Sequence, residues 1–132
     1  MRTIINPASM HSTHEFGFSH AALSSSGNLL HIAGQVAWDK DQNLVGKGDM
    51  KAQIGQVLKN INELLATQNA TAANIVRLRT FMVDTSPENL EHLFTELNAF
   101  YGQNEPAPNT LIGITSLAAS DFLIEIEATA CV

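Results

Sequence analysis

Two carboxylates stand one residue apart in an otherwise apolar stretch, "FLIEIEATACV" at residues 122–132. Side chains alternate across a strand, so one face of this segment is Phe122, Ile124, Ile126, Ala128, Ala130 and Val132, a plain core face. The other carries Leu123, Glu125, Glu127, Thr129 and Cys131. A carboxylate taken out of water must be paired, hydrogen-bonded or protonated. Either Glu125 and Glu127 meet water or cations at an interface, or one of them does chemistry as an acid, a base or an orienter of water.

The cations that could answer them lie in "IVRLRTFMVD" at residues 75–84. Alternation puts Ile75, Arg77, Arg79, Phe81 and Val83 on one face. Two arginines and two glutamates, both sets at i,i+2 spacing, can then meet as an ion cluster where subunits assemble. Other candidates carry less. His11 and His14 are spaced i,i+3 with His20 nearby, but no cysteine or acidic cluster completes a metal site, and the segment reads as loop. His31 falls in a strand pattern as a core or edge histidine. Cys131 has no His or Asp spacing for a nucleophile. Val45-Gly46-Lys47-Gly48 lacks the leading glycine and the trailing Ser or Thr of a phosphate loop, so it reads as an ordinary loop. Neither a metal nor a cofactor is expected.

The elements that must position these residues fit one domain over residues 1–132. Hydrophobic residues are 45% and charged ones 15%, which suits a globular chain and excludes disorder. A net charge of −6 with seven scattered Lys and Arg argues against nucleic-acid binding, which wants a basic face. One cysteine permits no internal disulfide and points to a reducing compartment. The first residues, MRTIINPASMHS, lack a signal-peptide core, and no stretch approaches the ~18 apolar residues of a membrane span. The expectation is a cytoplasmic protein with no membrane contact.

Along the chain, Arg2–Ile5 reads as a strand stopped by Asn6-Pro7. His20–Ser24 and Leu29–Ala33 read as a hairpin around the Ser25–Asn28 glycine turn. Gly34 marks a bulge, and Lys40–Gly48 is a loop. Asp49 is an N-cap for an amphipathic helix of about five turns built on Ile54, Val57, Leu58, Ile61, Leu64 and Leu65. A strand over 75–83 follows. Ser86-Pro87-Glu88 starts a second helix with inner face Leu90, Leu93, Phe94, Leu97 and Tyr101, and Gly102 suits its end. Thr110–Ser116 and Phe122–Val132 are the last strands. The fold class is α+β, with both helices on one face of a sheet. The other face stays uncovered, which predicts oligomerisation with sites between subunits.

"GFSHA" (17–21), "HIAGQV" (31–36), "IVRLRTFMVD" (75–84), "PNTLIGITSL" (108–117) and "IEIEATA" (124–130) together resemble the Rid family, also called YjgF, of enamine/imine deaminases. The resemblance covers essentially the whole chain. It implies a chorismate-mutase-like fold, a mixed sheet with two helices on one face, and a homotrimer with sheets inside and three clefts between subunits. In active members an arginine clamps the substrate carboxylate, and a glutamate on the last strand orients the attacking water. By this resemblance the glutamate is Glu125, and Asn109 stands at the arginine position. Phe18 stands where many members have tyrosine and Leu111 where many have cysteine, with Thr110 between Asn109 and Leu111. Ala33 and Gly34 match a segment whose backbone lines the cleft.

Arginine holds a carboxylate bidentately, whereas asparagine offers one neutral amide. The substrate expected is therefore a small-molecule imine, enamine or related compound other than the usual amino-acid-derived imines. Two other readings stand beside this one. One is a catalytically silent trimer that binds a metabolite or a protein partner. The other is ribonuclease activity, sometimes attached to the family, which the charge disfavours.

Overall fold

The computed structural model describes residues 1–132 throughout. In chain order the elements are β1 (Arg2–Ile5), β2 (Ala21–Ser24), β3 (Leu29–Gln35), α1 (Met50–Ala66), β4 (Ile75–Met82), α2 (Pro87–Tyr101), β5 (Asn109–Gly113) and β6 (Ile124–Cys131). Short 3-10 turns at His14–Phe16 and Ala72–Asn74 lead into Gly17 and β4.

Both helices begin where local chemistry places them. The Asp49 carboxylate accepts the backbone N–H of Ala52 at 3.0 Å and caps α1. Ser86 caps α2 by accepting from Asn89, with Pro87 at the first helical position. Each cap satisfies an N–H that the first turn cannot bond internally. Replacing Asp49 with alanine is expected to cost about 1 kcal/mol, read as a lower midpoint in urea unfolding with an unchanged slope.

The main sheet has the order β3-β6-β4-β5. β6 runs antiparallel to both β3 and β4, while β4 and β5 are parallel, joined by the α2 crossover. The sheet is therefore mixed, as the resemblance implied. Ile54, Val57, Ile61 and Leu65 of α1 and Leu93 and Leu97 of α2 are fully buried with Leu78 and Met82 of β4 and Ile124 and Ile126 of β6. Both helices thus lie on one face. Gln53 is buried among them with its amide satisfied: its Nε2 donates to the Gly46 and Asp121 carbonyls, and its Oε1 accepts from the Leu123 N–H. It ties the loop before α1 to the entry of β6.

Three expectations need correction, the first being that Leu64 is 37% exposed and lies off the buried face of α1. The 20–24 and 29–33 segments do not pair as a hairpin: β2 pairs with β1 in a separate two-stranded sheet, and β3 pairs with β6. The turn itself exists, since Gly27 adopts φ +100. The reason the strands part is that Asn28 exchanges both backbone hydrogen bonds with Val132, each at 2.8 Å, which commits β3 to the last strand. Ile75 does not share a face with Arg77. The β4/β6 register shifts between Ile75 and Arg77, so Ile75 turns into the core and is fully buried.

Candidate functional site

On the helix-free face, residues opposite one another on adjacent strands form rows. Phe81 of β4 faces Glu125 of β6, Arg79 faces Glu127, and Arg77 faces Thr129. On the outer side of β4, Thr110 of β5 faces Arg79. On the outer side of β6, His31 of β3 faces Thr129. Arg79 Nη1 lies 3.0 Å from Glu127 Oε1, and the Arg79 guanidinium stacks 5.4 Å from the Phe81 ring centroid. One arginine–glutamate pair therefore forms, and it uses Glu127. Both partners remain more than a third exposed, so the pair orders the face more than it stabilises the fold.

Glu125 is half-buried and makes no ion pair or side-chain hydrogen bond within the chain. Its surroundings are shaped by Gly34. The β3/β6 register shifts between Ile32 and Gln35, so that Ala33 and Gly34 lie across from the single residue Glu127. This is the two-against-one arrangement of a bulge. A Cβ on Gly34 would stand 1.9 Å from Glu125 Oε1 and 2.7 Å from its carboxyl carbon. The carboxylate occupies the space that any other residue at 34 would fill. Glycine at this position is what lets Glu125 lean over the β3 backbone, with the Phe81 ring opposite. A carboxylate held beside an aromatic ring and bare backbone, with free oxygens, is equipped to hold a water and pass its proton.

The other residues singled out from the sequence divide between the two faces. Thr110 joins the open face through Arg79. Asn109 faces Leu78 across the ladder, and its Oδ1 accepts from the buried Thr80 hydroxyl at 3.0 Å. It therefore lies on the helix side of the sheet, at its β5 edge. Leu111 faces Thr80 and is 37% exposed at the same edge. Phe18 lies beside them, because Ser19 bridges to Pro108 and donates its N–H to the Ala107 carbonyl at 3.1 Å. Within one chain, then, Glu125, Ala33, Gly34 and Thr110 share a face, while Asn109 and Leu111 do not join them. Two strand spacings, about 10 Å, separate β6 from β5.

The remaining candidates are elsewhere. His11 and His20 pack edge to face at 4.9 Å, with the His20 ring nitrogen 3.0 Å from the His11 carbonyl. No three His, Cys, Asp or Glu side chains converge as a metal-holding group. Cys131 is buried at the far end of β6, about 20 Å along the strand from Glu125. Its contacts, the Ser24 hydroxyl foremost and the N-terminal ammonium and Ser26 after it, hold the thiol below its ordinary range. The contact between Gly34 and Glu125 was not foreseen: the sequence signalled a bulge at Gly34, but nothing in it names the side chain that fills the gap.

The endoribonuclease L-PSP family model matches residues 11–132. A RutC family protein of Pyrococcus horikoshii is 31% identical over 106 residues, covering 80% of each chain. The mitochondrial protein MMF1 of Saccharomyces cerevisiae is 25% identical over 131 residues, 96% of this chain and 85% of that one. The crystal structure of YyfB from Yersinia pestis, a protein of unknown function of the conserved Rid family, superimposes with a TM-score of 0.96. It is 50% identical and covers 99% of this chain and 98% of that one.

Proposed function

The chain belongs to the endoribonuclease L-PSP family, which takes in the Rid and RutC proteins, and from that premise we propose that it is a small hydrolase. It deaminates a reactive imine or enamine, or a related small metabolite, in clefts between the subunits of a cytoplasmic homotrimer of single-domain chains. The observation that carries this reading is the Glu125 carboxylate standing unpaired over Gly34 on the open face of the sheet.

In the reaction, Glu125 accepts a proton from water as the oxygen attacks the imine carbon. The same carboxyl then gives that proton to the nitrogen. In the resulting carbinolamine the carboxylate takes the second proton from the new hydroxyl and passes it to the amine, so that the carbon–nitrogen bond breaks, ammonia leaves and a carbonyl remains. The protonated and ionised forms of one side chain serve both halves. Backbone groups around Gly34 and Leu111 bind polar atoms of substrate and water. Phe18, Ala33 and Thr110 complete the lining, and Asn109 orients the substrate. Because Asn109 lies on the opposite face from Glu125, the two meet one ligand only if the β5 edge of one subunit packs against the open face of another. The uncovered face supports such an assembly.

Asn109 takes the place of a bidentate clamp, which shifts preference away from imines carrying a carboxylate at the reacting carbon. Asn109→Arg is expected to raise kcat/KM on amino-acid-derived imines by about tenfold or more, since a charge-paired contact of this kind is worth about 2–5 kcal/mol. The assay generates imines in place with an amino-acid oxidase, from apolar and small polar amino acids, and follows ammonia. An intact trimer with no gain in any substrate counts against the substitution as the cause of altered specificity.

A second reading is a silent trimer that binds a ligand without turnover. It is favoured by the hydrogen bond that already engages Asn109 with buried Thr80. Silence of the wild type and of Asn109→Arg alike would support it. Cleavage of RNA, which the family's description suggests, is poorly matched to a net charge of −6.

A further inference from the structure

Next to Glu125 on the open face, a groove of about 360 Å³ is lined by His31, Ala33, Arg77, Arg79, Glu127 and Thr129, with Ile32 and Ala128 beneath. Two of the chain's seven Lys and Arg converge on this groove, against a single carboxylate. Formally, Arg77 and Arg79 less Glu127 leave +1 in a chain whose total is −6. The two arginines project from one strand at i,i+2, which places like charges about 7 Å apart.

The structure compensates only one of them. Arg79 is pinned by Glu127 and by the Phe81 ring, yet the pair uses one of its five N–H donors. Within a single chain Arg77 is exposed and has neither an ion-pair nor a hydrogen-bond partner. Thr129, directly opposite Arg77, offers a hydroxyl, and His31 beyond it offers a ring nitrogen. Donors from three adjacent strands thus point into one small concavity that is short of one negative charge.

We propose that this groove is a binding site for a small oxyanion, the carboxylate or phosphate group of a metabolite, held chiefly by Arg77 with Arg79, Thr129 and His31 around it. The planar fork of a guanidinium matches both groups bidentately. The site is separate from Glu125. Arg77 and Thr129 lie four residues along the strand from the Phe81–Glu125 row, about 13 Å. That distance is too long for the carboxylate of a simple amino-acid imine whose carbon sits at Glu125. Anion binding here therefore stands or falls independently of deamination.

The test is calorimetric titration of the full-length protein with inorganic phosphate and, separately, succinate, at constant ionic strength set with chloride. Saturable binding of either is expected, weakened about tenfold or more in Arg77→Gln, the loss of one charge-assisted contact. Arg77→Lys should fall between, and Glu125→Gln should bind as the wild type does. Tighter phosphate would mark a phosphoryl ligand, and tighter succinate a carboxylate one. No saturable binding of either probe, or equal binding by Arg77→Gln, overturns the proposal. So does a change in sedimentation on replacing Arg77, which would make it an interface cation instead.

Discussion

Glu125→Gln is expected to lower imine hydrolysis by about 10²–10⁴-fold, the range that a positioned acid or base contributes, with folding and assembly unchanged. Glutamine keeps the shape and volume of the side chain but can neither take the proton from water nor return it to nitrogen. Stability should hold because Glu125 has no partner to lose: the cross-strand ion pair on this face belongs to Arg79 and Glu127. The contrast sharpens the test. Glu127→Gln removes the ion pair and is expected to change stability by no more than about 1 kcal/mol, with turnover retained. If Glu125→Gln lowered the unfolding midpoint and left the rate alone, the carboxylate would be structural.

The second large effect is expected at Gly34. A methyl group there would stand 1.9 Å from Glu125 Oε1 and within 3 Å of its carboxyl and γ carbons. The backbone at Gly34 is not in the left-handed region, so alanine is conformationally tolerable and the conflict is with the glutamate alone. Glu125 is half-exposed and can rotate away, which makes the cost to stability small. The cost to chemistry should be large, because a displacement of about 1 Å in a catalytic group is enough to cost about 10²-fold. Gly34→Ala is therefore expected to fold, to assemble, and to lose most of its turnover through kcat. A double variant with Glu125→Gln should be no slower than the slower single variant, since both changes remove the same function. Additive losses would separate the two residues.

The helices were legible in the sequence because a 3.6-residue apolar period and an N-cap at Asp49 or Ser86 act locally. The alternation of "IEIEATA" correctly put Glu125 and Glu127 together on the face away from the core. Strand pairing was not legible. The Ser25–Asn28 turn promised a hairpin, but a turn fixes only its own backbone, and the hydrogen bonds from Asn28 to Val132 decided the partner. Ile75 was misplaced for a related reason. One extra residue at a bulge reverses the alternation beyond it, and nothing in "NIVRL" marks that step. The face of Asn109 was hidden as well. β5 is a five-residue edge strand with mixed polarity on both sides, so its pattern does not say which way it turns. What settles the matter is a tertiary contact, the Thr80 hydroxyl bonded to Asn109. Family resemblance pointed to Glu125 and to Gly34 separately. Their mutual packing is a property of the fold, and it is the reason for treating them as one site.

Deamination by this chain requires that water meet the substrate at Glu125 on the open sheet face. The most direct measurement is the initial rate of ammonia release from oxidase-generated imines, with wild type and Glu125→Gln compared at equal chain concentration. A wild-type rate above the uncatalysed background that collapses to background in the glutamine variant is the result predicted. A glutamine variant as fast as the wild type would contradict it.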